Sequence, residues 1–120
     1  MQHHGTVVIA GCGDLGTEAG LRFAALGHHV IGLRRRGELL PWPLEGRSTD
    51  LRNEVPTIPD DTTVVVVATA AGSRDVDEYR ATYVGGLRNV LDGVDASGAA
   101  PRIVVVSSTA VYDVDDGSEV

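Results

Sequence analysis

Three glycines at the end of a short apolar run constrain the fold of this chain more than any other feature of its sequence. The run, residues 7–10, has the length of a strand, and Gly11, Gly13 and Gly16 follow it. A helical pattern over 17–26 comes directly after the last of these glycines. The Gly-x-Gly-x-x-Gly spacing therefore predicts a strand, a tight turn and a helix.

Each glycine of such a unit has a separate physical task. Gly11 permits the sharp turn, Gly13 leaves space where phosphates approach, and Gly16 lets the helix pack close to the sheet. Backbone N–H groups at the start of the helix, where Asp14 and Leu15 lie, attract negative charge together with the helix dipole. We therefore predict that these five residues bind the pyrophosphate of a dinucleotide. The alternative is a tight turn in an unrelated α/β protein.

Apolar strand patterns and helical patterns alternate along the rest of the chain. Strands are predicted over 6–10, 29–33, 64–68 and 103–107, with a short one within 44–49, and helices over 17–26 and 75–94. Such alternation predicts a parallel sheet with right-handed crossovers. We expect a Rossmann-type, doubly wound α/β fold with strand order 3-2-1-4-5, truncated after strand five, with the ligand over the carboxyl ends of the strands. Prolines interrupt residues 37–59, which we predict to be mostly loop, with Trp42 serving packing.

The composition excludes several classes of protein. A chain of 120 residues suffices for one small domain, and its net charge of −7 with dispersed arginines argues against a nucleic-acid partner. The single cysteine, Cys12, cannot form an internal disulfide, which favours a reducing cytoplasm. Because no run of about eighteen apolar residues is present, we expect no membrane partner. The pair His3 and His4 is interpreted as part of a disordered end, and we expect no metal site.

The basic residues and the last residues together suggest a fragment. All ten basic side chains are arginine, so the chain offers no lysine for catalysis. A polar stretch, 113–120, comes directly after an apolar strand. We therefore expect residues 1–120 to be the N-terminal, dinucleotide-binding domain of a longer protein.

Arginines occupy the position that usually indicates the choice of cofactor. Enzymes that prefer NAD carry Asp or Glu about twenty residues past the glycines, where it binds the ribose 2′-hydroxyl. Arg34 and Arg35 occupy that position here, at the end of the second predicted strand. A guanidinium group there can form forked, charge-assisted bonds to a 2′-phosphate. We predict NADP as the cofactor, with NAD possible; the alternative is that these arginines only face solvent.

Several motifs, taken together, resemble one family of proteins. The chain resembles the short-chain dehydrogenase/reductase superfamily, in its extended or atypical epimerase/dehydratase branch. The residues that carry the resemblance are the glycine string 11–16, Gly32-Leu33-Arg34-Arg35, Asp50-Leu51, the helical stretch 83–91, and Ser107-Ser108-Thr109-Ala110-Val111-Tyr112.

The resemblance implies roles for individual residues. Asp50 would accept a hydrogen bond from the adenine amino group, and Leu51 would lie against the ring. Thr69 and Ala70 would lie along the ribose and pyrophosphate of the cofactor. Ser108 would be the catalytic-site residue that holds the substrate hydroxyl or carbonyl beside the catalytic tyrosine. The family pairs that tyrosine with a lysine in a Tyr-x-x-x-Lys motif, which this chain lacks, so we do not expect catalysis by these residues alone.

The predicted function follows from the motifs and the resemblance together. We predict the NADP-preferring part of an epimerase/dehydratase-like oxidoreductase, which transfers hydride to or from a small hydroxylated or nucleotide-linked substrate. The alternative is a non-catalytic module that senses NAD(P) and changes its affinity for a partner. A methyltransferase is disfavoured, because arginines stand where an acid would bind the ribose.

Overall fold

The structure is a computed structural model that describes residues 5–11, 13–68 and 76–105, with the backbone alone for residues 14 and 76–83. Its elements, in chain order, are β1 (Thr6–Ala10), α1 (Asp14–Ala25), β2 (His29–Arg34), a short 3-10 helix (Gly37–Leu39), β3 (Glu45–Ser48), β4 (Thr62–Val67), α2 (Val76–Ser97) and β5 (Arg102–Val105). The predicted strands and helices are therefore present, with ends that differ by a few residues.

The five strands form one parallel sheet in the order β3-β2-β1-β4-β5, as the sequence predicts. At its centre, Ile9 of β1 lies beside Gly32 of β2 on one side and Val66 of β4 on the other. The chain adds strands in one direction up to β3 and then returns to the other side of β1. The strand order consequently reverses between β1 and β4.

Helices cover both faces of the sheet, which gives the doubly wound architecture. On one face, Val7 and Ile9 belong to a core cluster that includes Phe23 of α1. On the other face, Val8 belongs to a second cluster that includes Val90 of α2. All five residues of β1 are buried. A strand buried on both faces has a continuous apolar sequence, which explains why neither β1 nor the valine run of β4 alternates with polar residues.

The segment between β2 and β4 differs most from the prediction. It contains the short 3-10 helix, in a stretch that is predicted to be mostly loop. Trp42 is 89% exposed, so the prediction that it serves packing is wrong. Leu44, two residues later, is 6% exposed and belongs to the cluster on the α1 face.

The helix α2 approaches the loop before β4 at one of its glycines. A Cβ at Gly93 would lie 2.5 Å from the carbonyl oxygen of Pro56, so only glycine permits this close approach. A Cβ at Gly85 would meet nothing within 4 Å. No helix in the part of the chain that the structure describes is long and apolar enough to cross a membrane.

The edge strand β3 is joined to β2 by exposed charges around Glu45. Its Oε1 lies 2.9 Å from His29 Nε2, and its Oε2 accepts a bond of 2.9 Å from Arg47 Nε. The hydrogen bond from Arg47, followed by that with His29, lowers the pKa of Glu45. A carboxyl with a lowered pKa stabilises the fold above its unfolded pKa, and the contribution disappears as the pH falls through the folded pKa.

We expect Glu45→Gln to lower the free energy of unfolding by at most about 1 kcal/mol at neutral pH, because exposed ion pairs are weak. The difference from the wild type should disappear in acid, well below the usual glutamate pKa of about 4.3. Denaturant titrations at neutral and acid pH measure both values. A difference of equal size at the two pH values would show that ionised Glu45 does not stabilise the fold.

Candidate dinucleotide site

Backbone hydrogen bonds join the carboxyl ends of the central strands just beyond the sheet. Gly11 N donates to Leu33 O across 3.0 Å, which fixes the glycine turn against the end of β2. Ala68 N donates to Ala10 O across 2.8 Å, which fixes the end of β4 beside the same turn. The glycine turn therefore lies where the strand order reverses, and open α/β sheets bind their ligands at this point.

The glycine turn has the local geometry that its sequence predicts. Gly11 has a φ of +80°, in the left-handed region that favours glycine, and its carbonyl accepts a bond of 2.8 Å from Gly13 N. A Cβ at Gly16 would lie 2.9 Å from Ile9 Cγ2 and 3.3 Å from Gly11 O. The turn predicted at Gly11 and the close packing predicted at Gly16 are confirmed.

Among the described residues, nothing near Gly13 requires a glycine at this position. Its φ is −83°, which other residues adopt, and a Cβ there would meet nothing within 4 Å. It is exposed and caps α1 without a side-chain hydrogen bond. The first N–H groups of α1, from Asp14 onward, have no acceptor within the helix. Open space and hydrogen-bond donors thus occur together at the start of α1.

The predicted cofactor-selecting arginines follow one another at the end of β2. Arg34 is its last residue and is half-buried, whereas Arg35 is exposed in the turn that follows. The next residue, Arg36, is also exposed, and its Nε lies 3.3 Å from Glu38 Oε2. A backbone hydrogen bond at Glu38, followed by the bond from Arg36, lowers the pKa of Glu38.

The same turn is held against β3 through Ser48. Its Oγ accepts a bond of 3.1 Å from Gly37 N and donates one of 3.4 Å to Glu38 Oε1. The next residue, Thr49, donates from its backbone N to Arg34 O across 2.8 Å. The end of β3 and the arginine turn are therefore fixed together, and Asp50 follows directly.

Asp50 organises the turn after β3 and lies near the arginines. Its carboxylate accepts bonds of 2.8 Å from Asn53 Nδ2 and 3.2 Å from Arg52 N. The bond from Asn53 lowers the pKa of Asp50 most, and the charge of Arg35 contributes to the same effect. Leu51 is only 8% exposed and belongs to the core, so only a small part of its side chain is accessible to an adenine ring.

One residue of the site region was not singled out from the sequence. Asn89, on α2, donates from its Nδ2 to the carbonyl oxygen of Leu51 across 2.7 Å. The contact joins residues 38 positions apart in the sequence, and no local pattern predicts it. The available indication was the position of an amide side chain one residue before Val90, which is fully buried.

Part of the predicted site falls outside the described residues. Thr69, Ala70 and Ser108 are outside them, and so is the side chain of Asp14. Of the other predicted site residues, Leu15 is 59% exposed on the first turn of α1. Among the described residues, no group of three or more His, Cys, Asp or Glu side chains has the arrangement of a metal site.

Comparison with known proteins supports a relationship through the fold. A protein from Methylobacillus flagellatus assigned as an NAD-dependent epimerase/dehydratase is 32% identical in sequence, with a TM-score of 0.62 over 91% of this chain. A short-chain dehydrogenase/reductase superfamily protein from Agrobacterium tumefaciens, solved with bound NAD, is 24% identical, with a TM-score of 0.67 over 89% of this chain. The resemblance to this superfamily is confirmed. No model of a known protein family and no curated protein matches the chain.

The chain thus has the dinucleotide-binding fold of the NAD-dependent epimerases and short-chain dehydrogenases. It spans 39% of the length of the Methylobacillus structure and 34% of that from Agrobacterium. In the superfamily's fold, the reversal of strand order beside a glycine turn is the dinucleotide site. The described residues fit such a ligand at the start of α1, where donors and free space coincide.

Proposed function

We propose that the chain is the cofactor-binding part of a longer epimerase/dehydratase-like oxidoreductase, and that it prefers NADP to NAD. The observation that carries this proposal is the open space at Gly13, at the start of α1 and beside the reversal of strand order. A pyrophosphate there would accept hydrogen bonds from the backbone N–H groups of Asp14, Leu15 and Gly16. The lengths of the two similar structures support a longer protein.

The preference for NADP rests on Arg34 and Arg35. They follow the glycine turn at the distance where an NAD-selecting acid would lie, and β2 ends beside that turn. The guanidinium groups of Arg34 and Arg35 are proposed to bind the 2′-phosphate. In the same turn, Arg36 Nε lies 3.3 Å from Glu38 Oε2. The bound NAD in the Agrobacterium structure belongs to that protein and leaves the preference of this chain to measurement.

Asp50 is proposed to bind the adenine amino group. A carboxylate offers about four acceptor positions, and the bonds from Arg52 and Asn53 use two of them. The lowered pKa keeps Asp50 ionised at neutral pH. An ionised carboxylate accepts hydrogen bonds and cannot donate one, which suits an amino group as its partner.

The reaction of the longer protein is proposed from the family resemblance. A nicotinamide cofactor supplies hydride transfer. Thr69 and Ala70 would lie along its ribose and pyrophosphate, and Ser108 would hold the hydroxyl or carbonyl group of a small hydroxylated or nucleotide-linked substrate. A tyrosine and lysine from elsewhere in the longer protein would exchange the proton.

Titration of NADPH and NADH into the purified protein tests this proposal. We expect NADPH to bind about ten- to a hundredfold more tightly at low salt, from one or two charge-assisted contacts discounted for exposure. The difference should shrink as salt screens these charges. Equal affinities would contradict the preference for NADP, and no binding of either would contradict a dinucleotide site.

A further inference from the structure

We infer that Asn89 is a positioning residue for the adenine end of the cofactor, acting from α2 through the carbonyl group of Leu51. This inference rests on the proposed function, because it concerns the geometry of Asp50 toward a bound adenine. Asn89 itself would not contact the cofactor. Its amide holds the backbone of the residue next to Asp50.

The segment around Asp50 has two kinds of support. Within the segment, the backbone N–H groups of Asn53 and Glu54 donate to Asp50 O, and the Asp50 carboxylate accepts from Arg52 N. These bonds determine the shape of the turn. They do not determine where the turn lies relative to the sheet, because all of their atoms belong to the turn itself.

The turn is held against the sheet at two points: at its start by the bond from Thr49 N to Arg34 O, and within the turn by Leu51. Its side chain is in the core cluster that also contains Val90, and its carbonyl oxygen accepts the 2.7 Å bond from Asn89 Nδ2. One residue therefore holds the turn both by packing and by a hydrogen bond, and both contacts lead to the same place on α2. The packing alone would allow the turn to rotate about the buried side chain.

Rotation of this turn would displace the Asp50 carboxylate more than the buried Leu51 side chain. A displaced carboxylate would lose a directional hydrogen bond, whose strength falls steeply as its angle departs from linear. The contacts of the pyrophosphate with the glycine turn would be unaffected, since they involve α1 and the ends of other strands. Loss of the Asn89 contact should therefore weaken recognition of the adenine amino group selectively.

The test compares NADPH with its hypoxanthine analogue, in which an oxo group replaces the adenine amino group. For the wild type we expect about tenfold tighter binding of NADPH than of the analogue, the value of one hydrogen bond to an exposed charged group. In Asn89→Leu this ratio should fall below about threefold. Asn89→Asp, which has the same shape but lacks the donor, should have the same effect. Thermal unfolding establishes that both variants are folded.

The matched control is Ser97→Ala, at the C-terminal end of α2. Ser97 Oγ donates to Val94 O across 2.6 Å and accepts from Ala99 N across 3.0 Å, so its loss perturbs the same helix about two turns beyond Asn89. The control should keep the wild-type ratio even if it lowers the melting temperature. An unchanged ratio in folded Asn89 variants, or a reduced ratio in Ser97→Ala, would overturn the inference.

The outcomes separate this inference from the proposed function. If the wild type binds NADPH and its hypoxanthine analogue equally, Asp50 does not recognise the amino group, and the inference fails while the dinucleotide site stands. If the wild type binds neither NADPH nor the analogue, the proposed function fails and the inference fails with it.

Discussion

Gly13→Val is expected to lower the affinity for NADPH by at least about a hundredfold, or roughly 2.7 kcal/mol, while the protein stays folded. The added side chain would occupy the space in which the pyrophosphate approaches the backbone. In the part of the chain that the structure describes, a Cβ at Gly13 has no atom within 4 Å. Calorimetric titration with NADPH, together with the melting temperature of the variant, measures both parts of this expectation.

Two further glycine variants sharpen the comparison. Gly13→Ser supplies a hydroxyl where the N-cap of α1 has no side-chain bond, so it should leave stability unchanged or raised and still weaken NADPH binding. Gly16→Val should instead damage the fold, because Ile9 and the backbone of Gly11 stand in the way. Wild-type affinity in a folded Gly13→Val variant would exclude the glycine turn from the site.

Replacing both Arg34 and Arg35 by alanine is expected to lower NADP affinity about ten- to a hundredfold and to leave NAD affinity nearly unchanged. The expected loss corresponds to one or two charge-assisted contacts with the 2′-phosphate, reduced by solvent exposure. It should be greatest at low salt, because the Debye length is about 10 Å at 0.1 M ionic strength. Dissociation constants for both cofactors, at low and moderate salt, provide the measurement.

Arg36→Ala is the matched control for the arginine pair. Arg36 lies in the same turn, and its guanidinium group is bound to Glu38 at 3.3 Å. Its removal should change NADP affinity much less than removal of the pair. Equal losses for NADP and NAD in the double variant would show that Arg34 and Arg35 do not select the cofactor.

The order of the sheet could be predicted from the sequence because it follows from local patterns and from chirality. Each central strand is an uninterrupted apolar run, and right-handed crossovers leave few arrangements once strands and helices alternate. The turn at Gly11 was also predictable, since its φ is a property of a few neighbouring residues. These features need no knowledge of distant contacts.

The features that the sequence did not predict depend on such contacts. Trp42 was expected to serve packing, but it is exposed, and Leu44 two positions later is buried in the core. The bond from Asn89 to Leu51 joins α2 to a turn that no local pattern associates with it. In each case the deciding partner is remote in sequence, or the choice between two apolar residues depends on the shape of the remaining space.

The two edge strands of the sheet, β3 and β5, differ in how readily a further strand could pair with them. β3 carries charged and small residues and is covered by the 3-10 helix, a composition that discourages further pairing. β5 instead presents Ile103, Val104 and Val105, each 37–44% exposed, although strands of parallel sheets are normally covered on both faces. Among the described strands, β5 is therefore the one beside which further polypeptide would extend the sheet.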